Sequence, residues 1–160
     1  DPLTQVANRA EFDRVHTEFV EDHERRGRPC AMIMCDIDHF KTVNDTFGHQ
    51  AGDEVLVRFG TLLQRFCRQG DLVARYGGEE FLIILQESEG SRADFVAEKI
   101  RTAVEALKTQ VDGVTIQKTI SIGVADFPND SATFWQAVKY ADVALYQAKS
   151  TGRNRVVPAD

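Results

Sequence analysis

The stretch DLVARYGGEEFLIILQ, residues 71–86, contains two runs of β-type residues on either side of a glycine pair. Both runs, LVARY and FLIIL, are rich in branched and aromatic side chains, which favour strands. Gly77 and Gly78 can adopt the positive φ angles of a two-residue hairpin turn without steric cost. We therefore expect the two runs to pair antiparallel, with Glu79 and Glu80 at the mouth of the hairpin.

The segment before this hairpin predicts a helix followed by a buried strand. Asn8 is placed to cap a first helix, and Gly27 followed by Pro29 ends it. Residues 30–38, CAMIMCDID, are apolar up to Asp36 and are typical of a central strand that is buried on both faces.

Three further segments show the 3.6-residue spacing of helices. Their apolar positions are Val55, Leu56, Phe59, Leu62, Leu63 and Phe66; Phe95, Val96, Ile100, Val104 and Leu107; and Phe134, Trp135, Val138, Ala141, Leu145 and Ala148. Ser91 and Asp94 resemble a capping box ahead of the second helix. Residues 115–128 predict one strand that ends at 128–130, and residues 155–158 predict a short closing strand. This order of elements indicates an α+β sheet covered by helices.

Size and charge limit the function classes that fit the chain. A chain of 160 residues is long enough for one domain with a real core. It carries 19 Lys and Arg against 25 Asp and Glu, a net charge of −6, which argues against a protein that tracks a nucleic-acid backbone. A small anionic ligand that brings its own cations remains compatible with this charge.

Two observations bear on the cellular setting. The cysteines Cys30, Cys35 and Cys67 fit no paired metal-binding spacing, so we expect reduced thiols and a cytoplasmic location. No apolar run reaches the roughly 18 residues of a membrane span, and we expect no direct membrane contact by this domain. Because the chain starts at Asp1, without a Met, we expect a piece of a longer protein, and a membrane anchor elsewhere in that parent protein is compatible with this chain.

Acidic residues meet at one end of the predicted sheet. Period-2 alternation places Asp36 and Asp38 on one face of the first strand. If the hairpin strand lies beside this strand, Glu79 comes within a few ångströms of Asp36. Two carboxylates about 4 Å apart repel by roughly 4 kcal/mol at an effective dielectric of about 20, and a bound cation reverses this penalty. Mg²⁺ suits such oxygen ligands. The alternative is that Gly-Gly only makes the turn and both glutamates are solvated at its tip.

Five blocks of the sequence resemble the GGDEF family of diguanylate cyclases in its GGEEF form. They are GGEEF at 77–81, DIDHFKTVNDTFGHQAGD at 36–53, TISIGVA at 119–125, ALYQAKSTGRNRV at 144–156 and the opening DPLTQVANRA at 1–10. The resemblance implies a single domain over residues 1–160 with a palm-like, ferredoxin-like or nucleotide-cyclase-like fold, in which helices cover a mainly antiparallel sheet. It also implies the condensation of two GTP molecules into cyclic di-GMP with release of two pyrophosphates.

The resemblance further implies roles for individual residues. Glu79, Glu80 and Asp36 would be catalytic, and two Mg²⁺ or Mn²⁺ ions per active site would be held by Asp36, Glu79 and the main-chain carbonyl of Ile37. Because neighbours on a strand point to opposite faces, we expect Glu79 to ligate and Glu80 to bind a basic residue or to lie behind the ligands. The substrate-binding positions would be Asn44 and Asp53 for guanine, Lys41, Lys149 and Arg153 for the triphosphate, and Gly77 and Gly78 for close approach to phosphate.

Arg68 and Asp71 match the RxxD motif that binds the product in many family members, with Lys99 or Arg101 completing the site. The alternative is that Arg68 only favours a helix C-terminus and Gly70 only ends that helix.

Turnover in this family needs a homodimer, so the resemblance predicts one here, governed by an N-terminal sensor domain in the parent protein and without nucleic-acid partners. A rival hypothesis is a catalytically weak domain that senses GTP or cyclic di-GMP.

Overall fold

The structure, a computed structural model, describes residues 1–87, 90–128, 130 and 132–159. Its helices are α1 (Arg9–Arg26), α2 (Phe40–Phe47), α3 (His49–Arg65), α4 (Gly90–Ala106) and α5 (Phe134–Ser150). Its strands are β1 (Cys30–Ile37), β2 (Leu72–Arg75), β3 (Glu80–Gln86), β4 (Thr109–Val111), β5 (Val114–Ile116), β6 (Ile120–Phe127) and β7 (Val156–Pro158).

The main sheet has the strand order β2-β3-β1-β6-β7. All neighbours in it are antiparallel except β6 and β7, which run parallel. Every residue of β1, the central strand, is buried, because helices cover both faces of the sheet. The α+β prediction with a mainly antiparallel sheet is therefore confirmed.

Side chains alternate along β1 between two apolar layers. Ile33 and Cys35 pack in the layer built by α3 and α4, whereas Met32 and Met34 pack in the layer built by α1 and α5. Asp36 continues the second series, so its carboxylate faces the C-terminal part of α5.

The first helix begins and ends as predicted. The side chain of Asn8 accepts a hydrogen bond from the Glu11 amide at 2.8 Å, and Gly27 closes the helix with a left-handed φ of 67°.

The predicted two-residue hairpin turn is wrong. The amides of Tyr76 and Gly77 both donate to the Glu80 carbonyl, at 2.8 and 3.2 Å, which closes a wider loop over residues 76–79. Neither Gly77 nor Gly78 has a positive φ, because the wider loop does not require one.

Two other predictions need correction. The segment 115–128 is not one strand: its start pairs with β4 in a separate two-stranded sheet, and β6 begins only at Ile120. Helix α2 was not predicted, since it is short and lies between the strand and Gly48. The short closing strand is confirmed as β7. The Ser91 side chain and Asn129, which belong to the predicted capping box and strand end, lie outside the described part of the chain.

Helix α5 packs unusually close to β6 at Gly123. A Cβ added there would lie 2.1 Å from the Ala141 carbonyl oxygen and 2.3 Å from the Leu145 nitrogen. The helix main chain thus rests directly on the strand main chain, which fixes where the end of α5 meets the sheet.

The three cysteines are free, with Cys30 and Cys35 buried and Cys67 half-buried. Burial raises the pKa of Cys30 and of Cys67 to about 12, so both thiols are protonated at neutral pH. In the part of the chain that the structure describes, none of the helices combines the length and apolar character that a membrane crossing requires.

Candidate active site

The strand register brings the predicted carboxylates together where β1 ends. Asp36 lies directly opposite Glu80 in the β1–β3 pair, and the Ile37 amide approaches the Glu79 carbonyl at 3.4 Å. Lys149, from the last turn of α5, donates a hydrogen bond to the Asp36 carboxylate. Three sequence-distant segments thereby place acidic and basic groups at one point.

This cluster is electrostatically strained. Burial raises the pKa of the Asp36 carboxyl, and the negative charges of Glu79 and Asp38 raise it further, although the hydrogen bond and charge of Lys149 oppose the increase. Burial also raises the pKa of Glu80, with further contributions from Asp36 and other nearby acids. Such crowding of carboxylates is relieved by a positive charge, so the donor set suits a divalent cation.

A small cavity, which we call the acidic cavity, opens beside this cluster. It has a volume of about 150 Å³ and is lined by Asp36, Ile37, Asp38, His39, Phe40, Lys41, Glu79, Lys149 and Arg153. The side chain of Ile37 belongs to the apolar core, which leaves only its main chain for a ligand. Within the described residues, no group of three or more His, Cys, Asp and Glu side chains is arranged to hold an ion. Two carboxylates and a carbonyl would therefore need water or substrate phosphates to complete a coordination shell.

A second cavity, the α2–α3 cavity, adjoins the first. It has a volume of about 410 Å³ and is lined by Phe40, Lys41, Asn44, His49, Asp53, Leu56, Arg75, Gly78 and Glu79. Phe40, Lys41 and Glu79 line both cavities. Lys41 forms an ion pair with Asp45 at 2.8 Å, and because its side chain is 88% exposed, an anion in solution can still reach the ammonium.

Gly52 allows Asn44 to reach the α2–α3 cavity. A Cβ at position 52 would lie 1.9 Å from Asn44 Oδ1 and 3.2 Å from Phe40 Cζ. Only glycine therefore lets the Asn44 amide pack over the start of α3, next to the exposed Asp53. At the turn, an added Cβ on Gly78 would meet nothing within 4 Å, which leaves its main chain open to a ligand.

Sequence reasoning missed Arg75, and it placed Asp38 beside Asp36 without finding its structural role. Arg75 lines the α2–α3 cavity and donates to the Gly78 carbonyl at 2.8 and 3.1 Å, which holds the GGEEF turn. Its position two residues before Gly77 was the available signal. Asp38 is 4% exposed and accepts hydrogen bonds from Thr119 and Ser121, so it ties the end of β1 to β6.

A larger cavity of about 500 Å³ lies elsewhere, between α1 and the start of α5. Its lining is mainly aromatic and aliphatic, and the ring centroids of His16 and Trp135 lie 4.8 Å apart with their planes tilted by 53°. It contains none of the residues of the acidic cluster.

Comparison with known proteins agrees with this geometry. Residues 1–155 match the family described as "Diguanylate cyclase, GGDEF domain". The chain belongs to this family. Diguanylate cyclase A of Treponema denticola is 42% identical over 141 residues, which make up 88% of this chain and 38% of that protein. The GGDEF domain therefore spans well under half of the length of this relative.

Solved GGDEF domains share the fold closely. The GGDEF domain of DgcB from Caulobacter crescentus, in complex with c-di-GMP, is 35% identical, with a TM-score of 0.91 over 100% of this chain and 92% of that one. The active GGEEF domain of a diguanylate cyclase from Vibrio cholerae is 31% identical, with a TM-score of 0.86 over 98% of this chain and 99% of that one.

In this GGDEF domain, Arg68 and Asp71 contact each other. The Asp71 side chain is 1% exposed, and its carboxylate accepts from the amides of Arg68 and Gln86 at 2.8 and 2.9 Å. The Arg68 guanidinium, 45% exposed, donates to Asp71 at 3.3 Å and to the Gln86 carbonyl at 2.6 Å. Asp71 thus shapes the turn, whereas the Arg68 side chain remains 45% exposed while it contacts Asp71 and Gln86.

The two candidates on α4 differ in surroundings. The Lys99 ammonium lies 4.8 Å from the centroid of the Phe95 ring, one turn earlier on the same helix. The Arg101 side chain is only 18% exposed and forms ion pairs with Glu98 and Glu105. Lys99 is therefore the more accessible of the two.

Proposed function

We propose that this GGDEF domain is a diguanylate cyclase, which condenses two GTP molecules into cyclic di-GMP and two pyrophosphates. One observation carries the proposal: Glu79 lines both the acidic cavity and the α2–α3 cavity. A nucleotide with its base in the larger cavity would carry its phosphates past Glu79 towards Asp36 and Lys149.

Guanine recognition is assigned to Asn44 and Asp53 in the α2–α3 cavity. A carboxylate accepts hydrogen bonds from the N1–H and N2 amine of guanine, and adenine lacks this donor pair on that edge. The Asn44 amide supplies both a donor and an acceptor.

The triphosphate is assigned to Lys41, Lys149, Arg153 and the main chain at Gly77 and Gly78. The first three are cationic and line the acidic cavity. Their charges offset the negative charge that the phosphates would bring next to Asp36 and Glu79.

Asp36, Glu79 and the Ile37 carbonyl are assigned to hold two divalent cations, Mg²⁺ or Mn²⁺. When bound, such ions neutralise charge on the attacking and leaving oxygens of a phosphoryl transfer. The 3′-hydroxyl of one GTP loses its proton to solvent as its oxygen forms a bond to the α-phosphorus of the other, the bond from that phosphorus to the bridging oxygen breaks, and pyrophosphate leaves. The same reaction in the opposite direction closes the ring and releases the second pyrophosphate. Glu80 lines neither cavity, so we assign it to positioning the charges of Asp36 and Lys149 from across the strand pair.

The described residues form one such pair of cavities, which would hold one GTP, so turnover requires two domains whose bound GTP molecules face each other. We propose a homodimer as the active form. The rate per chain should then rise with protein concentration.

We also propose that cyclic di-GMP inhibits the enzyme by binding at Arg68, Asp71 and Lys99. The Arg68 side chain, which is 45% exposed, supports this, since the planar fork of a guanidinium suits a phosphate or a guanine edge. Asp71 would contribute by holding the turn that presents Arg68.

The decisive experiment is incubation with GTP and Mg²⁺, followed by chromatography of the products. We expect cyclic di-GMP from the unaltered domain and none from Asp36→Asn or Glu79→Gln, each with an unchanged circular dichroism spectrum. Glu54→Gln, on the exposed side of α3, is the matched control and should keep full activity. Substantial turnover by Glu79→Gln would remove it as a metal ligand.

A further inference from the structure

The segment that follows α5 has an unusual main-chain conformation. Arg153 and Asn154 have φ angles of 62° and 46°, in the left-handed region. Non-glycine residues rarely adopt this conformation, and two in succession persist only where surrounding contacts hold them. Arg153 lines the acidic cavity, so the contacts that hold this segment bear directly on the site.

The Arg153 amide donates to the Ala148 carbonyl at 2.9 Å, and Asn154 adds contacts that bridge two distant elements. Its main-chain amide donates to Asp38 Oδ2 at 3.0 Å, at the end of β1. Its side-chain oxygen accepts from Arg101 Nη1 at 2.9 Å, and its side-chain nitrogen donates to Glu105 Oε2 at 2.5 Å, both on α4. Every hydrogen-bonding group of the Asn154 side chain is thereby directed at α4.

The groups that Asn154 contacts are themselves fixed. Asp38 is buried and also accepts hydrogen bonds from Thr119 at 2.7 Å and from Ser121 at 2.6 Å. On α4, Arg101 is further held by Glu98, with Nε 2.9 Å from Oε1. Asn154 therefore spans two rigid supports and does not simply occupy a turn.

We propose that Asn154 is a positioning residue: by joining α4 to the end of β1, it holds Arg153 at the acidic cavity in the orientation that phosphoryl transfer needs. The effect on turnover rests on the proposed cyclase activity. Asn154 itself does not line the cavity, so its action is through the main chain of its neighbour.

The variant Asn154→Gly separates the contribution of the Asn154 side chain from that of its main chain. Glycine adopts a φ near 46° without strain and keeps the amide that donates to Asp38, but it loses both bonds to α4. Asp112→Gly is the matched control, because Asp112 is an exposed residue with a left-handed φ of 49° in the β4–β5 turn.

We expect Asn154→Gly to lower kcat about 10- to 100-fold, since misplacement of a binding group by about 1 Å has effects of this size. The KM for GTP should change by less than about threefold, because misorientation of a retained group affects the transition state more than ground-state binding. Asp112→Gly should leave both constants unchanged. A kcat for Asn154→Gly within a factor of two of the unaltered domain would overturn the proposal.

Two further arms keep the result interpretable. In hydrogen exchange without nucleotide, the amides of residues 153–155 should exchange at least about tenfold faster in Asn154→Gly than in the control, and unchanged exchange would overturn the proposal even if the protein made no cyclic di-GMP. If the unaltered protein makes none, the proposed activity fails and the exchange arm still stands.

The second arm exchanges the donor and the acceptor in the hydrogen bond between residues 154 and 105. Asn154→Asp keeps the acceptor for Arg101 but faces Glu105 with a like charge, so it should lower kcat. Adding Glu105→Gln to this variant supplies a donor from the opposite side and should restore kcat at least threefold. Failure of this rescue would assign Asn154 a role in stability only.

Discussion

Replacing Gly52 by alanine tests how the α2–α3 cavity recognises its ligand. The new Cβ would lie 1.9 Å from Asn44 Oδ1, so the amide would have to retreat by about 1.5 Å to reach the 3.4 Å of ordinary contact. The helix itself should tolerate the change, because alanine is favoured over glycine in a helix interior by about 1 kcal/mol. The displaced Asn44 should lose one hydrogen bond to guanine, worth about 1 to 1.5 kcal/mol. We therefore expect the Kd for GTP to rise about tenfold and the Kd for ATP to stay unchanged.

The measurement is calorimetric titration with non-hydrolysable GTP and ATP analogues, in Gly52→Ala, Asn44→Ala and the double variant. If the alanine acts through Asn44, its effect on GTP binding should vanish in the Asn44→Ala background. An equal loss in both backgrounds would refute the reasoning. Gly60→Ala, on the same helix but facing Thr4 and outside the cavity lining, is the control and should leave discrimination between the two nucleotides intact.

Other perturbations have equally direct outcomes. Gly123→Ala should lower stability by at least about 1 to 3 kcal/mol in chemical denaturation, because the Cβ meets the main chain of α5 at 2.1 Å; full stability would mean that α5 shifts without cost. Arg68→Ala should raise the cyclic di-GMP concentration needed for half inhibition at least tenfold, and unchanged inhibition would reject the second site. Chelation of divalent ions by EDTA should abolish product formation, with recovery on adding excess Mg²⁺. Alkylation of Cys67 by iodoacetamide at pH 8 should be slow and should keep accelerating as pH rises towards about 12, since its pKa is raised from 9.0 to about 12; a plateau below pH 10 would contradict this pKa.

Much of the fold followed from local patterns in the sequence. The burial of β1, the capping of α1 and the pairing of β2 with β3 depend on periodicity and on single capping residues, which a sequence displays directly. The turn between β2 and β3 did not follow, because Gly-Gly is compatible with several loop lengths and Arg75 selects the wider one through its bonds to Gly78. The break between β5 and β6 could not be predicted from the sequence either, since TIQKT has the composition of a strand.

The sequence predicted which residues form the candidate site better than it predicted how they are arranged. Asp36 and Glu79 lie at the ends of elements whose pairing could be foreseen, and the structure brings both to the acidic cavity. The register could not be foreseen, and it sets Glu80, not Glu79, directly opposite Asp36. The contacts of Asp38 and Asn154 join residues that lie 49 to 116 positions apart in the chain, which no local pattern encodes.

The bare contact at Gly123 has a consequence for how the domain can diverge among relatives. Where a helix packs against side chains, exchanging a large residue for a small one lets the helix move closer to the sheet by a fraction of an ångström. At this point the spacing is set by peptide atoms alone, whose radii do not vary with the amino acid. Apolar residues elsewhere between α5 and the sheet can therefore be exchanged over evolutionary time while Lys149 keeps its distance from Asp36.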